Sequence, residues 1–334
     1  MVKTTHVLSY LDESSYGVPA TNPIVAATQT YLFGEFYENQ ELASPIPEIK
    51  PAYPQNSRDP SVIDVGPFAL RKSLKFYMMN GIWLWYALGQ NAAGGAAGHY
   101  IHTLTGCWAA GLNKFDLPSF TIHHEEKNGT SKASEYYGCK IDTLTIEGKR
   151  NQALTCQIDY IASKVATGRN VLTTAPYLPQ TPAATPYIFG KTELNWNAEG
   201  VSTEVQSLTF KIHNYLTPVP VHRVTDEHFA KYLREGDRSY ELALTLVQSA
   251  DDSNKWLDLL IAHLQTEDLT LAFPRGTDDL ITMTLSNNTV TLAQKIFKVK
   301  AGEYAVNLTI IPAICSVVVD DNIAPGTVHY KVQV

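Results

Sequence analysis

Residues 138–162 read GCKIDTLTIEGKRNQALTCQIDYIA, and the alternation inside them decides the fold class. Leu154, Cys156, Ile158 and Tyr160 fall on one side; Thr155, Gln157 and Asp159 fall on the other. Successive side chains of a strand point to opposite faces, so this is the pattern of a half-buried antiparallel strand. Residues 138–147 make the partner arm of a hairpin, joined through 148–153.

The same period recurs outward from this hairpin. Residues 205–213 set Leu208, Phe210 and Ile212 against Thr209, Lys211 and His213. Leu242, Leu244 and Leu246 alternate in 240–247, and Tyr304, Val306, Leu308 and Ile310 alternate in the second arm of a closing hairpin, 292–300 with 304–311. Shorter strands are expected at 100–104, 120–123, 269–273 and 280–285. Residues 68–76 keep period two with one slip, which a bulge would explain. Helices are few. Asn80 can cap one that carries Trp83, Leu84 and Leu88. Thr225, Asp226 and Glu227 open a second, which Gly236 ends, and Asp251, Asp252 and Ser253 open a third with Trp256, Leu257, Leu260, Ile261 and Leu264 on one stripe. The expected class is mostly β with short α-helices.

The order of elements repeats. A strand at 68–76, a Trp-Leu helix, two short strands and the hairpin 138–162 are echoed by a strand at 240–247, a Trp-Leu helix, two short strands and the hairpin 292–311. This divides the chain into an N-terminal arm and loop (1–60), a first β unit (61–165), a Pro-rich linker (166–187), a second β unit (188–312) and a C-terminal extension (313–334). Seven prolines in the first 60 residues exclude a long regular element from the arm. In the C-terminal extension, 317–319 and 328–334 read as one or two further strands.

Composition narrows the function. Hydrophobic residues make up 44% of 334, enough for a sizeable core, and the net charge of −7 offers no basic grip for nucleic acid. Residues 1–175 carry a net −1 and the remainder −6, with no acidic tail. The opening MVKTTHVLSY is too short and polar for a secretion signal, and no run reaches the 18 apolar residues of a membrane span. Cys107, Cys139, Cys156 and Cys315 make no zinc or redox spacing, so buried free thiols in a protein folded in a reducing cytoplasm are expected.

Motifs of chemistry are absent from the linear sequence. Gly190-Lys191-Thr192 lacks the upstream glycine of a phosphate loop, and the glycine-rich 89–98 reads as a flexible loop. His123-His124-Glu125-Glu126 is a dense cluster, but neighbours on a strand face opposite ways, so it reads as a solvated strand end. The pairs Asp251-Asp252, Asp278-Asp279 and Asp320-Asp321 read as turn or cap residues. No catalytic residue, cofactor or metal ligand is assigned. Among the 18 tyrosines and other aromatics, Tyr31, Phe36, Tyr37 and Tyr53 stand in the proline-rich arm, where core burial is less natural. They are expected to be inter-subunit contacts.

Four segments carry a resemblance: Leu11-Asp12-Glu13-Ser14-Ser15-Tyr16-Gly17-Val18-Pro19-Ala20; Ile82-Trp83-Leu84 with Leu88-Gly89; 137–147 with 154–162; and VQSLTFKIHN at 205–214. The chain resembles the tail tube (major tail) proteins of long-tailed phages and related archaeal tailed viruses. The resemblance implies two tandem tail-tube-like β-sandwich or barrel units, each with a flanking helix, plus extended arms. It implies a structural virion protein, not an enzyme, made in the host cytoplasm and placed in the virion tail. Copies would form homo-oligomeric rings stacked into a hollow tube, three chains making a pseudo-hexamer. Partners would be the tape-measure, tail terminator and tail tip proteins, with viral DNA passing through without sequence-specific binding and no membrane contact. The lumen-facing candidates are Thr155, Gln157, Asp159, Thr282, Thr284, Asn307 and Thr309, with the outer surface as the competing assignment. The alternatives are another baseplate or secretion-tube ring component, or a cytoplasmic β-sandwich enzyme or carbohydrate-binding module.

Overall fold

The computed structural model describes residues 5–19, 31–33, 36, 47–52, 62–68, 70–96, 99–106, 117–127, 132–172, 185–196, 199–200, 205–220, 230–248, 268–276, 279–297, 304–321 and 323. In the first half the strands are β1 (Thr5–Ser15), β2 (Val18–Pro19), β3 (Tyr31–Leu32), β4 (Pro47–Ala52), β5 (Val62–Phe68), β6 (Arg71–Tyr77), β7 (Gly89–Ala96), β8 (His99–Gly106), β9 (Phe120–Lys127), β10 (Lys132–Lys149), β11 (Thr155–Ile161) and β12 (Lys164–Arg169). Helix α1 (Ile82–Leu88) stands between β6 and β7. The second half holds β13 (Glu193–Trp196), β14 (Glu199–Gly200), β15 (Val205–His213), β16 (Thr217–Pro220), β17 (Ala230–Arg234), β18 (Ser239–Gln248), β19 (Leu269–Arg275), β20 (Asp279–Phe297) and β21 (Tyr304–Asp321).

A central antiparallel sheet runs β6–β11–β10–β15–β18–β21–β20 and so crosses from one half of the chain to the other at the β10·β15 pair. One flanking sheet runs β12–β10–β9–β1–β3. The other runs β7–β8–β21–β20–β19–β13–β14. Strands β10, β20 and β21 are long enough to belong to two sheets each. The switch in β10 falls at Gly138, whose φ is +61°. A Cβ there would meet Ser163 Cβ at 2.7 Å and Tyr16 at 3.0 Å, so the position needs glycine for both backbone and space. In β20 the corresponding residue is Asn287, with φ +53°.

Several strands of the first half have counterparts in the second. In the β10·β11 hairpin a register shift falls between Ile141 and Thr143; in β20·β21 it falls between Val290 and Leu292, each residue 149 further on. Likewise β6 pairs with β11 as β18 pairs with β21, and β9 with β10 as β19 with β20. Two small hairpins, β4·β5 and β16·β17, precede β6 and β18 respectively.

One hydrophobic core spans both halves. Every residue of α1 is buried; its N-cap is Gly81, which brings no side-chain cap, and not Asn80 as expected, while Asn80, one residue earlier, accepts the Ile82 amide through Oδ1 at 3.1 Å. Trp83 is the centre of an aromatic cluster: it stacks on Phe33 at 5.0 Å and 6°, with Tyr10 at 4.8 Å and Phe76 at 5.2 Å. The halves are tied at the end of α1. Asn214 Nδ2 donates to the carbonyls of Ala87 (3.1 Å) and Ile141 (3.0 Å), and Arg238 donates to Leu88 O (3.0 Å) and to Asn214 Oδ1 (2.8 Å).

Several expectations are corrected. The arm, expected to hold no long regular element, opens with the eleven-residue β1 (11 residues), which ends before the first proline, Pro19, and pairs along β9. Residues 230–234, expected within a helix, form β17, because Ala230 and Leu233 bury against Leu117, Ile161 and Leu216 while the backbone pairs with β16. The glycine-rich 89–98 is not a loop over its first eight residues: 89–96 is β7, paired along its length with β8, since small side chains need no alternation to lie on a ladder. The slip in 68–76 is a break between β5 and β6 rather than a bulge. Residues 164–169, beside the expected start of the linker, are β12. The strands read separately at 280–285 and 292–300 are one strand, β20, over 280–285 and 292–297, with 298–300 outside the described residues, and 313–321 continues β21 to pair with β8 inside the chain. His123 and Glu125 are fully buried in mid-strand, not at a solvated end, because they share the face that meets Glu135 of β10. Three of the four cysteines are free and buried, with burial raising each thiol pKa, that of Cys315 to about 12. Cys107, the helix expected at 251–264 and residues 328–334 lie outside the described residues.

Candidate functional site

The polar side of the central sheet gathers the largest set of the expected site residues. Alternation puts the odd positions of 71–77, 143–149, 155–159, 207–213, 241–245 and 307–309 on this side, while Leu74, Leu144, Ile158, Phe210, Leu244 and Leu308 go to the core. Strand register then arranges the polar side chains in rows across both halves. One row is Lys75, Gln157, Thr145, Lys211 and Glu241; the next is Tyr77, Thr155, Glu147, Thr209, Ala243 and Thr309; a third is Ser73, Asp159, Thr143 and His213.

The structure brings Thr155, Gln157, Asp159, Asn307 and Thr309 together on this one face. It does not bring Thr282 and Thr284 there: these stand on the flanking sheet, opposite Ala272 and Thr270 of β19 and Val318 and Ser316 of β21. The middle of the face, Thr143, Thr145, Glu147, Ser207, Thr209 and Lys211, was not singled out from sequence. The signal was available in the alternation of 205–213, but the pairing of β10 with β15 was not.

Charge on this face is compensated within it. Lys75 Nζ lies 2.7 Å from Glu147 Oε2, Lys211 Nζ lies 3.2 Å from Glu241 Oε1, and Arg71 lies 3.8 Å from Asp142. Asp159 is a further carboxylate, which accepts from Ser73 Oγ and, at 3.0 Å, from Gln157 Nε2. Thr143 bonds His213 at 3.2 Å and Thr245 donates to Asn307 at 3.1 Å. The result is a hydroxyl- and amide-rich wall whose named cations already hold a carboxylate each. Such a surface gives polyanion phosphates fewer new ion pairs, and so less release of counterions, than a face of unpaired cations would.

Of the aromatic candidates, Tyr31 is half-buried with its ring 6.0 Å from Tyr10, and Phe36 is half-buried, 6.2 Å from Phe33 and bridged by backbone to Phe76. Tyr37 and Tyr53 lie outside the described residues.

A family model described as phage tail tube protein matches residues 4–312. The chain belongs to that family. Its role is structural, as a component of the viral tail tube. No curated protein matches the chain. The acidic opening segment finds its purpose in the fold. Glu13 is 6% exposed and accepts four hydrogen bonds: from Gly17 N (2.6 Å), Ser119 Oγ (2.5 Å), Thr121 Oγ1 (2.7 Å) and Gly138 N (2.7 Å). It pins β1 to β9 and to the point where β10 changes sheets.

Behind the wall, in the first flanking sheet, sits a buried charged cluster. His123 lies 3.4 Å from both Glu125 and Glu135, Arg169 Nε lies 3.1 Å from Glu135, Tyr137 donates to Glu135, and Leu172 N donates to Glu125 at 2.5 Å. Burial pushes the Glu135 carboxyl up, but hydrogen bonds from His123 and Tyr137 and the charges of His123 and Arg169 outweigh it. The net pKa is held below the ordinary 4.5. A depressed carboxyl contributes stability that is full above its unfolded pKa and lost as pH falls through the folded value. Glu135→Gln is therefore expected to lower stability by about 2 kcal/mol at pH 7, the scale of a charge-assisted hydrogen bond. The difference from wild type should shrink steadily below about pH 4.5. Urea unfolding at pH 7 and pH 3.5 checks this; an equal loss at both would remove the charge from the explanation.

Proposed function

We propose that this chain assembles into closed rings of three copies, six β units in all, which stack into the hollow tail tube, and that the polar face of the central sheet lines the bore. The observation that carries this reading is the continuous polar face itself: it crosses the two halves without a seam and already holds Lys75 and Lys211 in ion pairs. DNA can slide past such a wall, whereas a basic wall would retain it. Viral DNA is then delivered to the host through the bore without sequence-specific contacts. Thr155, Gln157, Asp159, Asn307 and Thr309 face it, while Thr282 and Thr284 stand on another wall. Tyr31, Phe36, Tyr37 and Tyr53 belong to contacts between subunits, and the tape-measure, tail terminator and tail tip proteins meet the tube inside and at its ends.

Electron cryomicroscopy of tubes formed by the purified chain tests this. The expected map has three chains per ring and Gln157 and Asp159 on the inner surface. Six full chains per ring would overturn the pseudo-hexamer, and the same side chains on the outer surface would overturn the wall assignment.

A further inference from the structure

The duplicated strands show where pairing among the described residues of one copy stops. In the first unit, residues 143–149 of β10 have β11 on one side and β15 of the second unit on the other. In the second unit the matching residues, 292–297 of β20, pair with β21 alone among the described residues. An edge of unpaired backbone donors and acceptors is a template for another strand.

Side chains next to this edge repeat the asymmetry. Ile161 of β11 pairs with Lys140, just before the register shift, and is 1% exposed because Leu216, Ala230 and Leu233 of the second unit cover it. The β16·β17 hairpin holds this position through backbone too: Ala230 N donates to Ser163 O at 3.2 Å. The residue of β21 that corresponds to Ile161 is Ile311, 150 further on and paired with Thr289 just before the second register shift. Ile311 is 43% exposed, and Ile314 close by is 52% exposed. What covers Ile161 inside the chain has a counterpart at the other end of the molecule: the β4·β5 hairpin stands before β6 as β16·β17 stands before β18, and Phe36 is bridged to β6 on the side where β15 pairs with β18.

We propose that residues 290–297 of β20, with Ile311 and Ile314, are the docking surface for a second copy of this chain, which presents its β6 side and its β4·β5 hairpin. The contact between copies repeats the contact that β10, Ile161 and β16·β17 make within one copy. It rests on the ring reading above and deepens it by naming the seam. The two surfaces differ, so the contact is head-to-tail, which builds rings where its rotation closes and not a two-fold dimer. The central sheet then continues from copy to copy with its polar face on one side.

The test uses the full chain. Ile311→Glu with Ile314→Glu places two charges on exposed positions, so the melting temperature is expected to hold while rings are lost by sedimentation velocity and negative-stain microscopy. In parallel, hydrogen exchange on the wild-type chain compares rings with the dissociated chain. Amides of 290–297 are expected to exchange at least about tenfold more slowly in rings, as newly paired strand amides do. Rings formed by the double variant at wild-type yield, or exchange in 290–297 unchanged by assembly, would overturn the seam and leave the ring reading standing. A wild-type chain that stays single at every concentration would overturn both. Should the double variant fail to fold, the exchange comparison decides alone.

Discussion

Glu13→Ala is expected to remove about 3–5 kcal/mol of stability, the cost of stranding several donors that share one buried acceptor. The replacement leaves the amide of Gly138 and the hydroxyls of Ser119 and Thr121 without their shared acceptor. The Gly138 amide is buried, with a left-handed backbone that leaves little freedom to find another acceptor. Each buried donor so stranded costs about 1–3 kcal/mol. Since whole domains are stable by only about 5–15 kcal/mol, the variant should unfold at markedly lower urea. Glu13→Gln keeps the shape and one acceptor oxygen and should recover part of the loss. A change in urea midpoint no larger than that of a surface substitution would show that the network is not what fixes the β1, β9 and β10 junction.

Trp83→Ala is expected to cost a similar amount, about 3–5 kcal/mol, for a different reason. Trp83 is 1% exposed and its ring contacts Tyr10, Phe33, Phe76, Tyr86 and Phe120, which come from β1, the chain after β3, β6, α1 and β9. The cavity left behind borders five elements, so no single one can close it by a local shift. Near-UV circular dichroism should lose intensity together with the urea midpoint. Trp83→Phe keeps most of the volume and should lose about half as much or less. Equal losses for alanine and phenylalanine would point to the indole N–H rather than to packing.

Half-buried strands were legible because burial on one face writes itself as period two. Val205–His213 is β15 residue for residue, and Leu154 to Tyr160 face the core as alternation requires. Helix α1 was legible through its indoles, though its N-cap is Gly81 and not Asn80. What was not legible depends on partners distant in sequence. Strand β7 carries Gly and Ala with no apolar period, and only its ladder with β8 makes it a strand. Residues 225–229 carry helix-start chemistry, yet Ala230 and Leu233 answer to the packing of Ile161 on the other half. His123 and Glu125 look like a wet strand end until Glu135 is placed opposite. In the polar face, the rows cross four to six strands, and a row exists only once the register of each pair is known.

The strands that belong to two sheets have a mechanical consequence. At Gly138 and Asn287 a single backbone leaves the central sheet and enters a flanking one without interruption. Tension applied to one layer therefore reaches the next along covalent bonds, not across a slip plane of side chains. When a long filament flexes, layers joined in this way bend as a laminate whose plies are stitched, and delamination would require ladders on both sides of the stitch to rupture together.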